Sequence, residues 1–464
     1  MATTREQVAA YDYESRRRVT SLVLGVDEAG RDPRRRLNRT LFGSAIIAVL
    51  VMAGFGIAGL LGGGRGPTLP DSGAVLVKGS GNRYVVVDGV LHPALNLTSA
   101  LLVGGGELTE VRASALSGKP VGLPVGIPNA PDNLPDRLTG GPWTACVLPS
   151  DSQVVAPQVE VLVGLPAPTQ GVLAGSTAVL AEQGDASWLL TLGRRYRLTG
   201  TTRTVLGLQL TRQIQLPSQV LDTLPEGPEI AVPEVARGGT PDVRPPVQAE
   251  VGDLIQTGGT GRDAKFYLVQ RDGISQVSAL TATLLRDGGG SRVVPADPAA
   301  AVNATQSRRP VPGRTGWPDA VPTAVNPERG QPLCVSTTPG QPPGDAPWPA
   351  TVSLPAAMPS PGGVTPVATR TGDVSGTATS VAIAPGTGAL VLATTSAGQD
   401  GGFTLVTESG QRFPIASAEA TRRLRFDPAA ASRLPLPFVA LLPSGPALDP
   451  QAAAQEFTGT APPR

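Results

Sequence analysis

Between Arg39 and Arg65 the chain carries no charge: Thr40 to Gly64, TLFGSAIIAVLVMAGFGIAGLLGGG, is 25 residues long. At about 1.5 Å per residue a helix of this length reaches roughly 37 Å, enough to cross the hydrocarbon core of a bilayer. A cleavable secretory signal has an apolar core of only about 7 to 15 residues ahead of a small-residue cleavage site, so the run predicts a retained anchor. Residues 1–39 hold nine arginines against six acids, and beyond the run only Arg65 lies close. Positive charge stays on the cytoplasmic side, which predicts a cytoplasmic N-terminus and export of everything after the span.

Within the run, Gly54-Phe-Gly56-Ile-Ala-Gly59 is a formal GxGxxG, but no strand-turn-helix surrounds it and a membrane helix offers no phosphate site. The same glycines have another use. Gly54 with Ala58, and Gly59 with Gly63, stand at small-xxx-small spacing, which lets helices approach closely in lipid. Ahead of the span, arginine clusters alternate with Val8, Ala9, Val19, Leu22, Val23 and Leu24. That pattern predicts a short amphipathic helix from about Arg5 to Leu24, stopped by Gly25 and the Gly30 to Pro33 stretch. An arm of this size buries no core alone, so it reads as a docking helix for a partner or a lipid surface.

The exported part repeats itself. Four segments share a short apolar strand, a loop, an apolar strand opening on an aromatic, a glycine turn and a further extended stretch. They are Ala74-Val-Leu-Val77 with Tyr84-Val-Val-Val-Asp-Gly89, Ala178-Val-Leu180 with Trp188-Leu-Leu-Thr-Leu-Gly193, Asp253-Leu-Ile255 with Phe266-Tyr-Leu-Val-Gln-Arg-Asp-Gly273, and Ala389-Leu-Val-Leu392 with Phe403-Thr-Leu-Val-Thr-Glu-Ser-Gly410. The third and fourth align without a gap from Phe to Gly. Leu216-Pro217 then Leu224-Pro225-Glu-Gly227-Pro228 matches Leu434-Pro435 then Leu442-Pro443-Ser-Gly445-Pro446 at identical spacing.

Ser/Ala/Leu stretches after three of the turns, Asn96 to Val103, Ser275 to Leu285 and Ser417 to Leu424, read as one short helix each. Each unit is then a β-hairpin plus a helix, too small to stand alone and completed by neighbours or a central platform. The turn glycines are 104, 80 and 137 residues apart, so this is no regular solenoid.

The expected fold is α+β: a single N-terminal transmembrane helix, then an elongated exported region of four β-hairpin-plus-helix repeats around a β-rich central domain. The boundaries are 1–39 for the cytoplasmic arm, 40–64 for the span, 71–139 for repeat one, 140–175 for the first part of the central domain, and 176–232 and 249–305 for repeats two and three. The second, Pro-rich central part covers 306–385, repeat four 386–450, and a tail 451–464.

Chemistry is thin on the ground. One histidine, His92, and two cysteines, Cys146 and Cys334, exclude HExxH, four-cysteine and three-histidine metal sites by counting. No metal or other cofactor is expected. A net charge of +1 gives no drive toward nucleic acid. No GxxxxGK[ST] occurs: Ser117-Gly118-Lys119-Pro120 has alanine, Ala113, where the first glycine belongs and proline where a hydroxyl is needed. G-x-S-x-G is absent too. His92 falls where the other repeats carry Tyr196, Gln276 and Phe413, which makes it a repeat position before it is a base. No catalytic residue is nominated. In an exported region with two cysteines in strands bracketing repeats two and three, pairing Cys146 with Cys334 is the simple reading.

Taken in order, these parts resemble the EccB family of type VII (ESX) secretion systems. The carriers are Thr3-Thr4-Arg5-x-Gln7-Val8-x-x-Tyr11 followed by Arg16-Arg17, the Asp32-Pro33-Arg34 element before one membrane helix, the glycine-turn repeats, the Leu-Pro-x-Gly-Pro motifs and the two-cysteine region. Where an aromatic-leucine pair usually precedes the arginines, this chain has Tyr13-Glu14-Ser15. The resemblance implies cytoplasmic docking through Arg5, Tyr11, Arg16 and Arg17, and four repeats around a disulfide-closed centre. It also implies a ring of sixfold symmetry with the EccC ATPase, EccD, EccE and the mycosin protease in the cytoplasmic membrane. An ATPase activity described for the family has no P-loop to rest on here. The rival expectation from the residues is a membrane-anchored envelope enzyme or cell-wall-binding receptor.

Overall fold

Short polar residues start the helices that follow the hairpins, and they do so at the same place each time. Asn96, Thr199, Ser278 and Ser417 each accept a hydrogen bond from the backbone N–H three residues on, at 2.9 to 3.1 Å, which satisfies a donor the first turn would leave orphaned. In the computed structural model, residues 3–25, 33–62, 69–150, 156–259, 261, 263–311, 315–340, 347–369, 378–395 and 399–457 are described. The chain divides into two compact units, residues 1–69 with 110–117, and residues 70–109 with 118–464.

The first unit carries two long helices. Thr4–Leu24 opens on a Glu6 carboxylate that accepts from the Thr3 backbone N–H at 2.9 Å and hydroxyl at 3.1 Å, and ends on Gly25 at φ 63°. The second, Pro33–Gly62, has 30 residues. It begins seven residues before the expected Thr40, because Pro33 suits a first helical position and nothing after it breaks the helix. Asn38–Ile57 within it is apolar and long enough to cross a membrane.

Beyond the two long helices the described residues form five sheets, and four of them share one order. In chain numbering the first runs Val90–Pro93, Arg83–Val87, Gly73–Val77, Leu108–Val111; the second Arg194–Leu198, Ala186–Thr191, Thr177–Gln183, Gln213–Gln215; the third Gly273–Val277, Lys265–Gln270, Leu254–Thr257, Val293–Pro295; the fourth Arg412–Ile415, Asp400–Val406, Thr387–Thr394, Ser432–Pro435. In the last three sheets, three antiparallel strands are followed by a helix and then a strand lying parallel to the first; in the first sheet Leu108–Val111 takes the same place in the order. The hairpin-plus-helix expectation lacked that returning strand, which is only three or four residues long and has no alternation to mark it. It also lacked the second helix, Gly200–Val205, whose Gly-Thr-Thr-Arg-Thr-Val sequence has no helical pattern and is held by its Thr199 cap.

Each of these four sheets with its helix is one repeat, called a unit from here on, and the turns tell the four units apart. Asp88-Gly89 and Leu192-Gly193 both take positive φ and close two-residue hairpins, Val87 pairing with Val90 and Thr191 with Arg194, the conformation that matches strand twist. In the third unit Gly273 already pairs with Gln270, so the turn is Arg271-Asp272; in the fourth, Val406 pairs with Arg412 and the loop holds five residues. The gap-free alignment of the third and fourth units therefore joins different turns. The third helix also starts later than expected, since Gly273–Val277 is strand and Ser278 is the cap.

The fifth sheet joins distant pieces: Thr351–Ser353, Leu333–Thr337, Trp143–Leu148, Gln158–Val163, Ser380–Ile383 and Val367–Ala368, in that order. One face carries Trp143, Val161 and Val335, all fully buried, in a core shared with the second and fourth sheets. The first and fourth units share another core, Leu101 and Leu102 against Leu405, Phe413 and Leu424. The second and third share Leu180, Leu189 and Tyr196 with Leu280 and Leu284. At about 2 kcal/mol per buried leucine, these shared cores complete what no single unit buries.

A two-fold logic relates the halves. After the first unit Arg137–Leu138 pairs parallel with Thr387 and Gly388 of the fourth. After the third unit Thr323–Ala324 pairs parallel with Thr177 and Ala178 of the second. Each short strand then leads into a central strand, Trp143–Leu148 or Leu333–Thr337, and these two pair antiparallel with Cys146 opposite Cys334. The short helices Ser218–Leu221 and Leu436–Ala440, which follow the matched Leu-Pro pairs, meet each other. The first and second units thus correspond to the third and fourth, and the matched motifs are their equivalent ends.

Candidate functional site

At about 100° per residue, Val8, Tyr11, Val19 and Leu22 of the N-terminal helix fall on one stripe. Val8, Tyr11 and Leu22 are 58%, 75% and 86% exposed, an apolar stripe on a free surface. Arg5 and Arg16 run together along one flank; Arg17 lies away from the stripe, so the four expected docking residues do not form a single patch. Glu14 and Arg18 pair at 3.3 Å across one turn, both exposed, which contributes only a few tenths of a kcal/mol.

In the second helix Phe42, Ile46, Ile47, Leu50, Met52 and Phe55 are exposed, the surface a bilayer would cover. Gly54 meets nothing where a Cβ would stand. Gly63 of the expected packing set lies outside the described residues.

Cys146 and Cys334 form a disulfide between adjacent central strands, Cα atoms 4.0 Å apart and 188 residues apart in sequence. Both are fully buried. Beside them Thr144 and Ser336 share a hydrogen bond of 2.9 Å. On the next strand, opposite Cys146, burial pushes the Glu160 carboxyl above the ordinary carboxylate value, opposed by the Ser380 hydroxyl at 3.2 Å. On the other side, Ser353 pairs opposite Cys334 and its buried hydroxyl has no hydrogen-bond partner among the described residues.

The His92 ring lies against Gly122, where a Cβ would come within 2.5 Å of Cε1. Its Nδ1 is 2.9 Å from the Leu123 carbonyl oxygen, an acceptor, so Nδ1 carries the hydrogen. The same contact recurs: Gly227 lies on the Tyr196 ring and Gly445 on the Phe413 ring. The glycine of the Leu-Pro-x-Gly-Pro motif is therefore there for close approach to a ring, a role the spacing alone did not reveal. In the third unit the strand register puts Ser275, not Gln276, at the ring position, since Leu268 pairs with Ser275 as Leu189 pairs with Tyr196. At Lys119, Gly118 takes φ 75° and the chain continues extended, Val121 bridging Leu91; no helix N-terminus follows to cradle phosphate. Among the described residues no group of three or more His, Cys, Asp or Glu is placed to hold a metal ion.

Comparison with known proteins fits this geometry. The family described as "Type VII secretion system ESX-1, transport TM domain B" matches residues 1–462. The chain belongs to the EccB family. The ESX-2 secretion system ATPase EccB2 of Mycobacterium tuberculosis is 30% identical over 420 residues, 82% of this chain and 81% of that protein. EccB3 of Mycolicibacterium smegmatis is 28% identical over 473 residues, 96% and 89%. Against the ESX-5 relatives EccB5 the chain spans about three fifths of their length, at 30% identity. A chain of an intact ESX-5 inner membrane complex superposes with a TM-score of 0.66 at 26% identity, covering 100% of this chain and 97% of that one. A chain of an EccB3 dimer shares the fold with a TM-score of 0.68 at 23% identity, covering 82% and 100%.

Proposed function

We propose that this EccB-family chain is the single-span subunit of an ESX-type inner-membrane secretion complex, with its N-terminal helix in the cytoplasm and its five sheets forming a scaffold in the periplasm. The observation that carries the reading is the end-to-end correspondence with a chain of an intact ESX-5 inner membrane complex, apolar helix included. The sheets fit a division into four repeat domains, 71–139, 176–232, 249–305 and 386–450, around a central domain of 140–175 and 306–385. The exposed stripe of Val8, Tyr11 and Leu22 supports docking of the N-terminal helix on a cytoplasmic partner, for which the EccC ATPase is the natural choice. EccD, EccE and the mycosin protease complete the proposed neighbourhood, in a ring of higher order.

A second reading, nucleotide hydrolysis by this chain, is favoured by the ATPase names of its relatives. It needs a phosphate cradle, and Gly118-Lys119-Pro120 loses one amide to proline and has no hydroxyl. The test is purification of the tagged full chain in mild detergent. The expected result is a complex containing an ATPase subunit, which loses that subunit when residues 1–24 are removed. Magnesium-dependent hydrolysis that stays with the isolated chain after the ATPase is stripped away would replace the scaffold reading with the enzymatic one.

A further inference from the structure

The second and fourth units match residue for residue along their outermost strands, so each serves as a control for the other. Leu189 and Leu190 pair with Tyr196 and Arg195, as Leu405 and Val406 pair with Phe413 and Arg412. The Arg195 backbone donates to the Pro225 carbonyl and accepts from the Gly227 N–H; the Arg412 backbone does the same with Pro443 and Gly445. Arg412 is therefore the counterpart of Arg195. Ser444 takes the bridging place of Glu226, and Ala440, earlier in the same segment, takes that of Asp222.

The two arginines have different surroundings. Arg195 lies over the Trp188 ring, its guanidinium carbon 5.2 Å from the centroid, and pairs with Asp222 and, at 3.0 Å, with Glu226. At Arg412 all three partners are replaced: Thr404 stands in the place of the tryptophan, and Ala440 and Ser444 in those of the carboxylates. The Arg412 Nε donates to the Leu442 carbonyl at 3.0 Å. Burial alone acts on its guanidinium, pushing it below the ordinary arginine value, with no carboxylate among the described residues to oppose the shift. A partly buried cation without a counter-charge carries a desolvation cost that a paired carboxylate offsets. The same face differs once more. Asp222 reaches Arg195, so Ala440 stands next to Arg412, and one helical turn before it is Leu436, on the same side of Leu436–Ala440 and 45% exposed. The counterpart of Leu436 in the second unit is Ser218.

The second unit is thus polar and self-paired where the fourth presents an exposed leucine, two small residues and an unpaired arginine. We propose that this face of the fourth unit binds a segment of a different polypeptide, which sets an Asp or Glu carboxylate on Arg412 and an apolar side chain on Leu436. Asp222 and Glu226 show what the vacant places accept, and the guanidinium fork suits a carboxylate better than any neutral acceptor. Charge complementarity of this kind selects the partner as much as it holds it.

The probe is p-benzoyl-phenylalanine at Ala440 of the full chain, photo-crosslinked in the cells that make it. Mass spectrometry should place the adduct on a different protein, beside an Asp or Glu. Arg412→Gln should lower the yield about fivefold, with Arg412→Lys, which keeps the charge without the fork, in between. Should Arg412→Gln fail to fold for want of its bond to Leu442, Ser444→Glu supplies a carboxylate from within as Glu226 does, and should lower the yield about as far without lowering the melting temperature. Leu436→Ser, the residue of the second unit, should lower it about threefold. Changing the crosslinked acid to arginine should abolish the adduct, and Arg412→Glu should then restore it. Asp373, outside the described residues, precedes Ala378, whose N–H donates to the Leu441 carbonyl; Asp373→Asn should leave the yield unchanged. No adduct, a yield unaltered by Arg412→Gln and Ser444→Glu, an adduct only with another copy of this chain or far from any acid, or a loss in Asp373→Asn equal to that in Arg412→Gln would each overturn the assignment.

Discussion

A glycine that lies flat on a ring leaves no room for even one methyl group. Gly445 against Phe413, 2% exposed, is the tightest instance in the fourth unit. Gly445 does not take a positive φ, so the requirement is purely steric. Gly445→Ala should therefore destabilise the exported region by about 1–3 kcal/mol, the usual cost of overpacking a filled core. Urea denaturation of the periplasmic part measures it. Because the cost comes from the ring, Gly445→Ala combined with Phe413→Leu should lose less than the sum of the two single changes. Additive losses would place the cost in the backbone instead.

At the scale of elements, the disulfide ties the two halves of the chain into one sheet. Cys146 and Cys334 sit at the point where the equivalent central strands pair, and the bond closes a loop of 188 residues. Chain-entropy accounting gives about 5 kcal/mol for a loop of that size. Cys334→Ser should lose a few kcal/mol of exported-domain stability while membrane insertion is unchanged. Non-reducing mass spectrometry that finds two free thiols in periplasm-folded protein would remove the effect at its source.

The pairing was legible from two cysteines flanking the inserted repeats. So were the N-terminal helix, stopped at Gly25, and the hairpins of the first two units, because apolar strands on either side of a glycine turn are a strong local signal. The returning strands were not legible, since a segment such as Gln213–Gln215 is strand only because Thr177–Gln183 offers it an edge. Nor was the start of the long apolar helix at Pro33, for arginines favour a helix as well as a loop. In the candidate sites, the repeat position of His92 was visible but its partner Gly122 was not, as that contact joins residues 30 apart through the fold.

For the whole molecule the decisive property is which side of the membrane each part occupies. Pro33–Gly62 is 30 residues, of which Asn38–Ile57 forms the apolar candidate span of 20, about 30 Å at helical rise and matched to a hydrocarbon core. Starting the helix at Pro33 brings Arg34, Arg35, Arg36 and Arg39 onto it ahead of the apolar stretch. Four arginines just ahead of the apolar stretch, against Arg65 on the other side in the sequence, are the bias that the positive-inside rule counts. Protease added to spheroplasts should then digest everything after about Arg65 and leave a membrane-protected fragment that still reacts with an antibody to residues 3–25. Replacing Arg34, Arg35, Arg36 and Arg39 by glutamate should reduce that protected fragment, since the orienting charge is gone while the apolar span is intact. Loss of the N-terminal epitope from the unsubstituted chain, with the five sheets protected, would invert the topology and remove the periplasmic scaffold with it.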